Sequence, residues 1–399
     1  MKRSASSKPQ NPAASAGKAS AGRAPRGKPS AGQDAVITAT APCRVDLAGG
    51  TVDIWPLYLF HPGAVTVNVA IDIRTRCRIA PSGSPEIHLS SIDTGLEDRF
   101  SDFAALNDAA LQRSRHALAA HLLRFFFSQG AYSHGWHPRG GLWLETRSDA
   151  PAGAGISGSS ALMIATTAAL AQYVGRALTL EHIREIAQNV EARLIRVPTG
   201  CQDYYPALYG GVSAIHLDPD GLHREPIALS SAELEARAVL VYTGVPRQSG
   251  INNWEVFKAH IDGNRRVQRN FQKIVEIARE MAAALRAEAW EDVERLLREE
   301  WKLRKTNAPG ISTPFIDRLI RIAARNGGRA AKVCGAGGGG CVFFLVEAGA
   351  RERVSRALAE AGGKVLPFQV AAKGLEVSTE TAMAGSPASP ARWGDRADE

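Results

Sequence analysis

The apolar residues of this chain change their period several times, and each change marks an element. From Ala35 the run Ala-Val-Ile-Thr-Ala-Thr-Ala-Pro-Cys-Arg-Val-Asp-Leu47 is strand-like, and Gly49-Gly50 then turns the chain and presents Thr51, Asp53 and Trp55. Two further strands are predicted at 64–71 and 74–79, with a turn near Asp72 between them, and another at 87–92. Residues 108–129 read as a helix ending at Gly130, and 141–147 alternate like a strand. Helical composition returns at 161–173 and 180–195, where Thr179 is placed to cap the second helix. A loop and short helix from Pro198 lead to a strand near His216. After a break near 229–233, a second half opens with a strand at 237–242 and a polar turn at 243–249. Long helices follow at 253–286 and 291–305, with charged faces that alternate in sign and read as solvated. Ser312 or Thr313 caps a helix whose first turn holds Pro314, and strands at 330–333 and 341–346 close the series.

This order divides the chain into bodies at 34–232 and 233–377, flanked by polar tails at 1–33 and 378–399. The net charge of +8 suggests nucleic acid until it is located. The first 33 residues carry seven Lys and Arg and no acid, which leaves the rest at +1 and gives no basis for nucleic-acid binding. That segment is low-complexity Ala, Ser, Pro and Gly, which reads as disordered, with a transit peptide as the alternative. No run of 18 apolar residues is present, so no membrane insertion is expected. Five scattered cysteines without a C-x-x-C pair fit reduced thiols in a cytoplasmic protein, not a disulfide framework or a zinc site.

The chemistry gathers at Asp149–Leu162, where Gly153, Gly155 and Gly158 alternate with Ser157, Ser159 and Ser160 between a strand and a helix. Unpaired N–H groups and the positive end of the dipole make a helix start an anion site, and glycines let a phosphate approach the backbone. A bland reading is a serine-capped turn. Gly153-x-Gly155-x-x-Gly158 also matches a dinucleotide fingerprint, but two helices follow where that fingerprint needs a second strand. No Walker P-loop occurs in the chain. A second glycine run, Gly335-Ala-Gly-Gly-Gly-Gly340, joins two strands and is far longer than a hairpin requires, which points to close approach by a ligand.

Three motifs therefore stand in order: Ala41-Pro-Cys-Arg-Val-Asp-Leu-Ala-Gly-Gly-Thr-Val-Asp53, Pro151-Ala-Gly-Ala-Gly-Ile-Ser-Gly-Ser-Ser-Ala161 and Lys332-Val-Cys-Gly-Ala-Gly-Gly-Gly-Gly340. Together they resemble the GHMP family of galactokinase, homoserine, mevalonate and phosphomevalonate kinases. Within it the chain looks most like the sugar-1-kinases acting on heptose 7-phosphate, through Leu47–Asp53, Val67–Ile71, Gly200-Cys-Gln-Asp-Tyr204, Gly210-Gly211, Trp301–Lys305 and Ile311–Asp317. It departs from the family in reading Gly-Ile-Ser-Gly-Ser-Ser for Gly-Leu-Gly-Ser-Ser, and Thr51-Val52-Asp53 for Gly-Thr-Asp.

The resemblance implies an α+β fold of two domains, an N-terminal ATP-binding domain and a ferredoxin-like C-terminal domain, with the active site between them. It implies ATP and Mg²⁺, and the transfer of a phosphoryl group to a sugar or sugar phosphate, at the anomeric hydroxyl; galactokinase-, fucokinase- or mevalonate-type acceptors and a non-catalytic nucleotide-binding regulator are the alternatives. Asp203 falls at the family's catalytic carboxylate and Arg44 at the basic residue of the first motif. Gly153, Gly155, Ser157, Gly158, Ser159, Ser160, Gly335, Gly337 and Gly338 would hold the nucleotide. Ser159 or Ser160 with Glu191 would hold Mg²⁺, and Asp53, Thr51, Asp203 and Gly338 would meet the acceptor. A phosphorylated acceptor would call on Arg193, Arg196, Arg247, Lys302 or Lys305. A monomer or homodimer is expected, with no nucleic-acid or membrane partner.

Overall fold

The computed structural model describes residues 35–127, 140–246 and 251–381, so the basic segment 1–33, Arg247 and most of the closing tail lie outside the described residues. The strands are β1 (Ala35–Ala48), β2 (Val65–Pro81), β3 (Ile87–Ser91), β4 (Leu96–Phe100), β5 (Leu142–Ser148), β6 (Val212–Asp218), β7 (Gly221–Pro226), β8 (Ala238–Tyr242), β9 (Gly328–Val333), β10 (Cys341–Val346), β11 (Lys364–Leu366) and β12 (Glu376–Thr381). The helices are α1 (Asp108–Arg113), α2 (Ala117–Phe127), α3 (Gly158–Tyr173), α4 (Leu180–Ile195), α5 (Tyr204–Tyr209), α6 (Ser231–Ala236), α7 (Ile251–Ile261), α8 (Arg265–Arg286), α9 (Trp290–Arg304), α10 (Pro314–Arg325) and α11 (Arg351–Glu360).

Two sheets carry the fold. The larger runs β12-β1-β2-β5-β3-β4, with β6 paired to β2 and β7 to β6. Every residue of β1 from Ala41 to Ala48 is buried, whereas only alternate positions are buried before it. That change marks where α3, α8 and α9 all close on the strand. The helix α3 has buried side chains on every side and is built mostly of Ala, Thr and Ser, small enough to lie close against β1 and β2. Its body is thereby held in the core, while its first residues, Gly158 and Ser159, stay open to solvent.

The smaller sheet runs β11-β8-β10-β9, all antiparallel. Counted within this unit, the spatial order is 4-1-3-2 with a β-α-β-β-α-β connection, the ferredoxin-like arrangement that the resemblance implied.

Four expectations need correction. The residues 64–79 form one strand, β2, not two. Its register against β1 shifts between Ile71, paired with Cys43, and Arg74, paired with Pro42, so the irregularity at Asp72 is a bulge. Asp72 spends its backbone N–H and its carboxylate on Gln369, at 3.0 and 2.8 Å. The helix expected over 108–129 is broken, because the Asp98 carboxylate accepts from Ser114 Oγ at 2.8 Å and from the N–H groups of Arg115 and His116 at 2.8 and 3.2 Å. Likewise 253–286 splits at Gly263, where Asn264 Oδ1 caps α8 by accepting from Arg266 and Val267. Finally, residues 378–381 are not part of a tail: β12 pairs antiparallel with β1, Ala35 opposite Thr381, in the first sheet.

Candidate active site

Arg44 is the residue on which the site is built. It lies in the fully buried half of β1 and is 1% exposed. Its Nε and Nη2 donate to Asp203 Oδ1 at 3.0 and 2.6 Å, and its Nη1 donates to the carbonyl of Gly155 at 2.9 Å. One guanidinium thus ties the loop before α5 to the glycine–serine loop before α3. Burial opposes its charge, but Asp203 and Asp46 raise its pKa further above the ordinary arginine value.

The loop at 151–158 places α3 as the sequence suggested, with one difference. Ser157 stands at the N-cap in a left-handed conformation, φ 61°, but its hydroxyl donates to Ile156 O and caps nothing. The first intrahelical bond joins Ala161 N to Ser157 O, so the N–H groups of residues 158–160 lie ahead of the ladder, as anion binding requires. Ser160 is buried and donates to Glu191 Oε2 at 3.1 Å, while Ser159 is exposed. Glu191, on α4, also accepts from Tyr204 OH at 2.6 Å. Burial pushes its carboxyl upward, and hydrogen bonds from Tyr204, Ser159 and Ser160 offset part of that. Among the described residues no cation pairs with it.

The second glycine run meets the first. Cys341 N donates to Ala154 O at 2.7 Å, and a Cβ built on Gly340 would lie 2.6 Å from that same oxygen. Within the run, however, Gly335 N donates to Asp46 Oδ1 at 3.1 Å and Gly338 N to Ile311 O at 2.9 Å. These two N–H groups are already engaged, so Gly335 and Gly338 can serve a ligand only by having no side chain.

Asp53 faces Asp203 from the other side of the pocket. It is buried, accepts from Gln202 N at 2.9 Å, and leaves no room beside it: a Cβ on Gly200 would sit 2.0 Å from its Oδ2. Burial first, and then the Asp203 charge, raise its pKa to about 7. Arg44, Thr51, Asp53, Gln202, Asp203, Asn253, Arg304 and Gly335 line one cavity. A roomier cleft lies between α11 and β11, floored by Leu240 and Phe368, but none of these groups reaches it.

Sequence reasoning missed a buried ionic chain behind the pocket. Lys332 Nζ donates to both the carboxylate and the carbonyl of Asp46, and lies 3.8 Å from Glu300 Oε1. Glu300 in turn accepts from Arg304. Arg304 then donates to Gly50 O at 2.9 Å and Thr51 Oγ1 at 3.2 Å. Burial alone would raise Asp46, yet Lys332, Arg44 and Arg304 hold it well below the carboxylate range. Thr51 is kept at φ 73°, a left-handed conformation that costs a threonine about 1–3 kcal/mol. The charged face of α9 read as solvated, but its i,i+4 pair Glu300–Arg304 is buried. The spacing was visible in the sequence; the side it faced was not. Conversely Arg193, Arg196, Lys302 and Lys305 are exposed, and none of them lines the cavity.

Known proteins resemble this chain over most of its length. Residues 117–211 match the GHMP kinases N terminal domain, and residues 281–364 match the GHMP kinases C terminal domain. The D-glycero-alpha-D-manno-heptose 7-phosphate kinase of Campylobacter jejuni is 26% identical over 85% of this chain and 98% of its own length. A mevalonate kinase of Pyrococcus horikoshii is 27% identical over 86% of this chain and 97% of its own. Among solved structures, a D-glycero-D-manno-heptose 1-phosphate kinase from Bacteriodes thetaiotaomicron superposes with a TM-score of 0.68 at 24% identity, covering 86% of this chain and 98% of that one. Lactococcus lactis galactokinase with galactose gives 0.67 at 17% identity, covering 86% and 95%. With both family models matched in chain order and relatives aligned over nearly their whole length, this chain carries the N terminal and C terminal domains of the GHMP kinases.

Proposed function

We propose that this kinase transfers the γ-phosphoryl group of ATP to a hydroxyl of a sugar or sugar phosphate, the anomeric hydroxyl as in sugar-1-kinases. The observation that carries this reading is the single guanidinium of Arg44, bonded at once to Asp203 and to the Gly155 carbonyl. Phosphoryl transfer asks a protein for in-line positioning and for cancellation of charge. Arg44 serves both by fixing Asp203, the group assigned to orient and deprotonate the acceptor hydroxyl, against the loop assigned to the phosphates.

The start of α3 receives the phosphates on its leading N–H groups, with Ser159 and Ser160 beside them. The glycine run closes over them from the second domain, its bare backbone fitting between Ala154 and Ile311. Glu191 and Ser160 offer hard oxygen donors, and a buried carboxylate with no cation beside it fits Mg²⁺. When bound, that ion would neutralise charge on the phosphate oxygens.

Asp53 and Asp203 accept hydrogen bonds from acceptor hydroxyls. Two carboxylates on the pocket wall favour a polyol over mevalonate, which brings a carboxylate of its own. The D-glycero-alpha-D-manno-heptose 7-phosphate kinase relative, named for a phosphorylated sugar, points the same way. ATP consumption with Mg²⁺ across hexoses, 6-deoxyhexoses, heptose 7-phosphate and mevalonate tests the reading. Turnover of one sugar that is lost in Asp203→Asn supports it; turnover of mevalonate alone overturns it.

A further inference from the structure

We propose that Arg304 is an acceptor-positioning residue, delivered to the pocket by the second domain, which holds the Gly50–Thr51 turn and gives one N–H to an acceptor oxygen. The proposal rests on the sugar-acceptor reading above and adds a recognition element that none of the three sequence motifs contains.

A guanidinium has five N–H donors in a rigid fork. In Arg304, Nε donates to Glu300, Nη2 donates to Glu300 and Gly50 O, and Nη1 donates to Thr51 Oγ1. Four donors are thereby engaged, and one N–H of Nη1 has no partner among the described residues. The residue is 4% exposed, yet it lines the same cavity as Asp53 and Asp203. An unspent charged donor so placed is costly unless something accepts from it.

Neighbouring groups complete the argument. Asp53 and Asp203 are acceptors only when ionised, whereas a sugar hydroxyl can both donate and accept. Arg304 supplies the donor that those carboxylates cannot. Its partner Thr51 also reaches Asn253 Oδ1 at 3.4 Å, so the turn is gripped from α7 and α9 together. A Cβ on Gly50 would lie 3.1 Å from Arg304 Nη2 and 2.7 Å from Gln202 Nε2, so both side chains pack directly against the turn. The grip joins the two halves of the chain, because Arg304 and Asn253 belong to helices of the second half and Gly50 and Thr51 follow β1.

The test uses the full-length enzyme, Mg·ATP and the sugar with the highest turnover in the panel above. Arg304→Lys keeps a charge against Glu300, but its three N–H donors at most match Glu300, Gly50 and Thr51 and leave none for the acceptor. Its acceptor KM should rise roughly tenfold to a hundredfold, the scale of one charge-assisted hydrogen bond, with the ATP KM unchanged. Deoxy analogues of that sugar supply the reading a purely structural role would not move. For one of them, lacking the hydroxyl that Arg304 meets, wild type and variant should show the same KM. An unchanged acceptor KM, an equal rise for ATP, or one constant ratio across all analogues overturns the proposal. Should Arg304→Lys not fold, Thr51→Val removes the partner of Nη1 and must raise the acceptor KM alone; no change there overturns the proposal equally. If wild type turns over no sugar, the sugar reading falls and takes this proposal with it. If wild type is active and Arg304→Lys behaves like it, only this proposal falls.

Discussion

Both guanidinium bonds from Arg44 to Asp203 land on one oxygen, Oδ1, and Oδ2 is left without a partner among the described residues. The carboxylate is therefore anchored by one atom and available by the other. Asp203→Asn keeps an oxygen for Arg44 but loses the proton acceptor. We expect kcat to fall by about 10²–10⁴, with a far smaller change in melting temperature. Steady-state kinetics beside a thermal melt checks this; a variant that loses stability and activity in proportion would assign Asp203 to the fold alone.

Asp53 titrates near neutrality, its pKa raised to about 7 by burial and by Asp203. Ionised Asp53 accepts from sugar hydroxyls, so the acceptor KM should rise as pH falls through 7 and become flatter in Asp53→Asn. The stability effect runs the other way. A carboxyl whose folded pKa is raised favours folding when protonated, a contribution fully present below the unfolded value of about 4 and lost as pH rises through the folded one. Melts at pH 8 should therefore show Asp53→Asn more stable than wild type, and at pH 5 the difference should shrink.

The contact between the glycine runs can be pried apart from one side. Gly340 has φ 76°, and a Cβ there would meet Ala154 O at 2.6 Å. Gly340→Ala should raise the ATP KM by roughly tenfold or more, about 1.4 kcal/mol, with the acceptor KM nearly constant. Equal binding of ATP by both proteins in calorimetry would show that the contact does not shape the nucleotide site.

Where α7 meets the segment before β2, His61 Nε2 and His260 Nε2 lie 2.8 Å apart, so one ring must donate and the other accept. Burial lowers both pKa values, and the charge of His61 lowers that of His260 further. A histidine with a lowered folded pKa stabilises the fold while neutral, and loses that contribution as pH falls below its unfolded value near 6.5. Melting temperature should decline from pH 7 to pH 5, and less steeply in His260→Gln. Parallel curves for the two proteins would remove the pair from the account.

Much of this site could be read in advance because it is carried by local chain chemistry. Thr179 caps α4 through His182 N, and Thr313 caps α10 through Ile316 N, where a hydroxyl residue precedes each helical run. Gly153–Ser160 and the run at 335–340 declared themselves by needing conformations other residues avoid. Resemblance added Arg44, Asp203 and Glu191, which no local rule would pick out. What stayed hidden depends on contacts between distant segments. Asp98 breaks a helix by binding the backbone and hydroxyl groups of Ser114–His116, far along the chain, Asp46 is matched to Lys332, and Arg304 turns inward with Glu300 from a helix most of whose charges face water. Short edge strands such as β7 and β11 have too few apolar residues to signal themselves.

The pairing of β12 with β1 has a consequence for synthesis. A chain leaving the ribosome completes β1 first and its hydrogen-bonded neighbour β12 last, with the whole second sheet made in between. Until residue 381 emerges, one long edge of the first sheet from Ala35 to Thr40 offers unpaired backbone groups to any passing strand. The nascent protein must therefore shield that edge for most of its translation, and a frame-ending lesion just before Glu376 would leave nearly all of the pocket encoded while exposing a lasting site for aggregation.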